Sequence, residues 1–117
     1  METACHCGGI SISAPRPEGP LNECPCGLCY RYGAVWAYYP LDKVTITKRE
    51  GSSTRMYIWG DKVIQFHFCD NCYGMVYWWP IDVKKATEMG VNTRMVLDKK
   101  DLEGLEVIQD PPREWES

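Results

Sequence analysis

The chain has 117 residues, 44% of them hydrophobic and 25% charged, with a net charge of −3 at neutral pH. That length and apolar share support one domain, spanning residues 1–117, with a modest buried core. The acidic balance and scattered Lys and Arg give no basic footprint for nucleic acid or an anionic membrane, and no apolar run approaches the roughly 20 residues that a bilayer crossing needs. The opening METACHCGG lacks a basic stretch followed by an apolar one, so a soluble, cytoplasmic protein is expected.

In chain order, the turn-rich APRPEGP at 14–20 precedes a run of aromatic and β-branched segments. GAVWAYY (33–39), KVTIT (43–47), RMYIWG (55–60), KVIQFHF (62–68), MVYWW (75–79) and VNTRMVL (91–97) read as strands. Turn signals separate them at 38–42, at 50–53 and at the WGDK corner of 59–62, which predicts a hairpin. IDVKKATEMG (81–90), closed by Gly90, and DKKDLEGL (98–105) read as short helices, and the tail DPPREWES as a surface or frayed segment. Several short strands at close spacing predict a mainly β, antiparallel sandwich or barrel-like fold. In VYWWP, consecutive rings must point to opposite faces, so at least one of them meets a second layer, a partner or a pocket.

Seven cysteines stand at Cys5, Cys7, Cys24, Cys26, Cys29, Cys69 and Cys72. An odd count without a secretion signal argues against a disulfide scaffold, and closely spaced thiols then read as metal ligands. The simplest partition is four plus three. Cys5, Cys7, Cys69 and Cys72 would close a four-thiolate structural zinc site, and Cys24, Cys26 and Cys29 would hold a second zinc with one position open, the usual arrangement of catalytic zinc. Two other partitions stand beside it. Cys5 and Cys7 can close a site with two of the triplet, leaving Cys69 and Cys72 as a redox or unpaired couple, or all seven can share metal only partly. An iron-sulfur cluster is disfavoured, because the spacings match none of the usual ferredoxin runs. His6, between two ligands, reads as a bystander, and His67 as a hydrogen-bonded strand residue or an acid–base group near a metal.

CHCGGISI (5–12), CPCGLCYRYGAVWAYY (24–39), FHFCDNCYGMVYWW (66–79) and GVNTRMVLDKKDLEGLEV (90–107) together resemble, in the same order, segments of one family. It is the glutathione-dependent formaldehyde-activating enzyme family, also called the CENP-V/GFA domain, and the likeness is greatest to its short fungal members. The resemblance implies an Mss4-like fold of antiparallel sheets, a structural zinc on Cys5, Cys7, Cys69 and Cys72, and a second zinc on Cys24, Cys26 and Cys29. It also implies a carbon-sulfur lyase-type reaction of a small thiol or carbonyl substrate, the family's own being the adduct of glutathione and formaldehyde. Four positions depart from the family pattern, one being Pro25, which stands between Cys24 and Cys26 where the family has CHC. Tyr30 follows the triplet and Phe66 precedes Phe68 where the family often has arginine, and Tyr73 stands where it has glycine. Glutathione carries two carboxylates that favour arginine. With Arg31 as the nearest substitute, the pattern predicts a more aromatic pocket of Tyr30, Phe66 and Tyr73 and a bulkier, less charged substrate. A non-catalytic interaction module on the same fold is the competing expectation, and a thiol redox protein using Cys69 and Cys72 a third. The sequence leaves the oligomeric state open.

Overall fold

The computed structural model describes residues 1–110, so the tail expected to lie over the surface is, from Pro111 onward, outside the described residues. In chain order the strands are β1 (Glu2–Ala4), β2 (Ile10–Ser13), β3 (Leu21–Asn22), β4 (Trp36–Pro40), β5 (Thr45–Lys48), β6 (Thr54–Tyr57), β7 (Ile64–Cys69), β8 (Met75–Pro80), β9 (Glu88–Asn92) and β10 (Val107–Ile108). They form two sheets, a three-stranded one in the order β1-β2-β5 and a seven-stranded one in the order β10-β3-β4-β9-β8-β7-β6. The fold is therefore mainly β, as the strand spacing predicts. All pairings are antiparallel except that of β10 with β3. No helix among the described residues is long and apolar enough to cross a membrane.

Strand alternation gives the large sheet two faces with different work. Ala37, Tyr39, Tyr77, Met89 and Val91 point toward the small sheet and bury against Ile10 and Ile12. The larger aliphatic side chains among them, Ile10, Ile12, Met89 and Val91, each contribute about 1.5–3 kcal/mol when taken out of water. Trp36 and Phe66, with Phe68 and Trp78 packed beside them, point the other way and form a second apolar cluster with Cys26 and Cys29, which Met75 joins because a register shift between β7 and β8 pairs it with Phe68. The VYWW stretch is thus divided between the faces, Tyr77 in the inter-sheet core and Trp78 in the cysteine cluster.

The hairpin predicted at the WGDK corner joins β6 to β7, with Gly60 and Lys62 both at positive φ (67° and 59°). The helix expected over 81–90 is replaced by a turn held by Asp82, whose carbonyl accepts from the Lys85 and Ala86 amides, followed by β9. Gly90 is not a helix cap but the strand residue over which Trp78 lies, where an added Cβ would collide with the indole. The strand expected at 91–97 ends early because the buried Asn92 amide stops it. Its Oδ1 accepts from the Val35 and Arg94 amides (3.3 and 3.1 Å), its Nδ2 donates to the Met75 carbonyl (2.8 Å), and a 3-10 turn follows at Thr93–Met95. The helical expectation at 98–105 holds as one 3-10 turn, Lys99–Leu102.

Candidate metal centres

The seven cysteines gather into two groups, Cys5 with Cys7, Cys69 and Cys72, and Cys24 with Cys26 and Cys29, the sulfurs of each group lying within 4.8 Å of one another. None is in a disulfide. Both groups are arranged to bind a metal ion, and the four-plus-three partition is the one that the fold makes.

The first group joins two hairpins. Cys5 and Cys7 stand in the turn between β1 and β2, which closes through the Gly8 amide on the Cys5 carbonyl (2.8 Å), with Gly8 at φ 78°. Cys69 and Cys72 flank the turn between β7 and β8, where the Tyr73 amide donates to the Cys69 carbonyl (3.0 Å). Tyr73 itself takes φ 61°, a conformation that a side chain adopts only under local constraint. The Cys7 sulfur lies 3.7 Å from that of Cys5 and 3.6 Å from that of Cys69. Backbone amides already point at the sulfurs, Ile10 at Cys5 and Asn71 at Cys69, both at 3.4 Å. Burial pushes the Cys5 thiol up to about 11, whereas hydrogen bonding from Asn71 and from the Gly9 amide brings Cys7 down to about 6. Cys72 is brought down as well, its burial outweighed by backbone hydrogen bonding at Cys7 and Gly74, and a cation among the four would favour the thiolate form of all of them.

The second group is built on a helix in a stretch to which no element is assigned from the sequence. Helix α1 (Gly27–Tyr32) starts at Cys26, whose sulfur accepts from the Cys29 amide at 3.3 Å, and ends at Gly33 in the left-handed conformation. Cysteine here takes the N-cap role usually held by serine or aspartate, which is why the helix escapes a reading based on ordinary capping residues. The Trp36 indole Nε1 donates to the Cys29 sulfur at 3.4 Å. Cys26 and Cys29 are buried, Cys24 less so. The Cys29 thiol is pushed up by the neighbouring Cys24 thiol and by burial, and Cys26 by burial. Among the described residues no fourth Cys, His, Asp or Glu joins the three.

The residues expected to line a pocket separate. Phe66 is in the wall around Cys26 and Cys29, its ring 6.1 Å from that of Trp36. Tyr30 is 78% exposed on α1, and Arg31 donates from Nη1 to the Gly27 carbonyl of its own helix (2.8 Å). Tyr73 lies in a shallow cavity of about 390 Å³ beside α1, with Leu28, Tyr32, Arg55, Tyr57 and Phe68. His67 faces away from the triplet. Its Nδ1 meets Thr54 Oγ1 at 2.8 Å, its Nε2 meets Gln65 Oε1 at 2.9 Å, and it stacks on Tyr77 at 4.3 Å. It is a satisfied strand histidine. His6 is exposed. Two polar residues beside the triplet carry no motif that sequence reading could find, Asn22 and Tyr38. Asn22 Nδ2 donates to the Tyr38 hydroxyl at 2.6 Å, and burial first of all raises that phenol to about 12.

These features define a small mainly β protein with a four-cysteine and a three-cysteine centre, each suited to a metal ion. Neither a protein-family model nor a curated protein matches the chain. Its fold is similar to that of a Rhodobacter sphaeroides protein solved by structural genomics, with a TM-score of 0.71, 23% identity, and coverage of 92% of this chain and 100% of that one.

Proposed function

We propose that the protein is a zinc enzyme of the carbon-sulfur lyase type, with a structural zinc on Cys5, Cys7, Cys69 and Cys72 and a reactive zinc on Cys24, Cys26 and Cys29. The observation that carries this reading is the difference in ligand number, four cysteines in one group and three in the other. Four thiolates close a tetrahedron, and three leave a position for a ligand. A tetrahedral site with zinc–sulfur bonds of about 2.3 Å places its sulfurs about 3.8 Å apart. The sulfur–sulfur separations of 3.6 and 3.7 Å in the first group are close to this. The family resemblance supports the same assignment of ligands.

Bound at the triplet, zinc would stabilise a substrate thiolate or polarise a carbonyl oxygen, moderated by the one net negative charge that three thiolates leave on the site. The chain's own residues supply the surroundings. Trp36 and the Cys29 amide hold the sulfurs in place by hydrogen bonds, and Trp36, Phe66 and Trp78 exclude water from one side. That wall is apolar, which favours a thiol adduct or reactive carbonyl with a bulky, weakly charged body over glutathione. Micromolar binding of glutathione to the zinc-loaded protein in titration calorimetry would reverse that preference.

A second reading, a non-catalytic interaction module, has its own observation. Tyr30, Tyr32, Met56, Tyr57 and Tyr73 are all at least half exposed on the side of the molecule that carries α1. Metal stoichiometry separates the readings. Elemental analysis of protein purified without added metal should give two zinc ions per chain, falling to one in the Cys26→Ser, Cys29→Ser variant with its circular dichroism unchanged. One zinc in both proteins would leave the triplet empty and favour the interaction module.

A further inference from the structure

Asn22 is 5% exposed, an unusual place for an amide with no role in the strand ladder beyond its own backbone. Its side chain is fixed at both ends. The Asp110 backbone amide, which can only donate, points at one end at 3.2 Å, so that end is Oδ1. The other end is then the NH₂ group, which can only donate, and it meets the Tyr38 oxygen at 2.6 Å. Tyr38 is therefore the acceptor in this contact, and its own proton must point elsewhere.

Where it can point follows from the strand. Tyr38 is two residues from Trp36 on β4, so both rings rise from the same face about 7 Å apart. The Trp36 indole touches the Cys29 sulfur, and Asn22 precedes Cys24 by two residues and pairs with Trp36. The Tyr38 ring packs at 6.0 Å from the Trp78 indole, which belongs with Cys26 and Cys29 to the second apolar cluster, so the phenol stands at the wall of the triplet. Tyr38 is 38% exposed, and Cys24 is more open to solvent than Cys26 and Cys29. A phenol carries its proton at neutral pH, so the group has one to donate.

We infer that the Tyr38 hydroxyl, aimed by Asn22, donates a hydrogen bond to an oxygen of the ligand held at the open position of the three-cysteine centre. The inference rests on the metal reading given above and adds to it a ligand requirement, an oxygen acceptor such as a carbonyl or hydroxymethyl group next to the atom that meets the metal. Tyr38 would touch the ligand, and Asn22 acts through Tyr38 as a positioning residue.

The test uses the full chain with cobalt(II) in place of zinc, whose visible bands report ligands at the open site. The Cys26→Ser, Cys29→Ser variant serves as the spectral blank. Two probes are titrated, acetohydroxamate, which offers oxygen acceptors, and ethanethiol, which offers none. Tyr38→Phe should weaken acetohydroxamate about tenfold, the worth of one hydrogen bond, and leave ethanethiol within about twofold. Asn22→Asp turns the donor at Tyr38 into an acceptor, draws the phenol proton back, and should cause the same selective loss. In the Tyr38→Phe background it should cause no further loss, because the proton it acts through is gone. Unchanged acetohydroxamate binding in Tyr38→Phe overturns the inference, as does an equal loss for both probes, which would mark Tyr38 as packing only. A further loss in the double variant would show that the charge of Asp acts directly, and would remove Asn22 from the assignment. If the wild type and the blank give the same cobalt spectrum, the metal reading of the triplet fails, and this inference with it.

Discussion

Gly90 shows how much can rest on one missing methyl group. Trp78 lies directly over its Cα, in the position where any Cβ would stand, and the neighbouring Tyr38 ring packs at 6.0 Å from the same indole. Gly90→Ala must push the indole out of the wall around Cys26 and Cys29, so it should cost roughly 2–3 kcal/mol, within the range for overpacked cores. Urea unfolding would read this as a lower midpoint, and pairing it with Trp78→Leu, which clears the space, should return part of the loss. His67 carries a different kind of prediction. Burial first, then Lys48, lowers its imidazole from 6.5 to about 4. The groups facing it, Thr54, Gln65 and Tyr77, are neutral, so nothing offsets the cost of a charge. A folded value below the unfolded one means that its contribution to stability is complete above pH 6.5 and is lost as pH falls toward about 4. The ring resonances in a proton NMR titration should therefore stay those of the neutral form at pH 5.5. A midpoint near 6.5 would mean that this face of the sheet is open to water.

At the scale of elements, β4, β7 and β8 were legible because long runs of aromatic and β-branched residues have few alternatives to a strand. Other elements were not legible, for physical reasons. β1, β3 and β10 are two or three residues long, too short for any periodicity, and exist because a neighbour offers a ladder. The 81–90 segment has helical spacing and a terminal glycine, but its value as a strand depends on Gly90 passing under Trp78, a tertiary fact. The two cysteine groups were legible because cysteine spacing is local chemistry, whereas Asn22 and Tyr38 became visible only once β3 and β4 were side by side. Asn92 belongs to the same class. It ends β9 with a hydrogen bond from the Arg94 amide and ties the start of β4 to the start of β8 through two more, at Val35 and Met75. Asn92→Ala would leave the Val35 amide and Met75 carbonyl buried without partners and should cost about 2–4 kcal/mol in chemical denaturation. Asn92→Asp keeps the acceptor and loses the donor. It should fall between wild type and alanine if the loss is one of hydrogen bonding.

The whole molecule depends on how its two sheets are joined. The small sheet consists of β1, β2 and β5, and besides its packing face it meets the rest at the Thr3–Val96 bridge, the Leu97 amide on the Glu2 carbonyl and the Lys48 Nζ donor to Thr54 Oγ1. The four-cysteine group adds a junction between the β1–β2 turn and the β7–β8 turn, with Cys7 and Cys69 meeting across 62 residues of sequence. A metal there would close that loop in the folded state, where its binding free energy becomes folding free energy. The triplet has no such reach, since its three ligands lie within six residues and one turn of α1. Stripping the protein with a strong chelator should therefore lower its thermal midpoint by roughly 20 °C or unfold it, on the basis that each kcal/mol is worth about 4–8 °C in a domain of this size. Emptying only the triplet, in Cys26→Ser, Cys29→Ser, should shift the midpoint by a small fraction of that. Hydrogen exchange would show where the junction acts. In a Cys5→Ser variant the amides of β1 and β2 should lose protection first while those of β4, β8 and β9 keep theirs, because the larger sheet retains its own ladder and core. Equal loss of protection across both sheets would mean that the first centre holds the entire core together, and not the seam between its two layers.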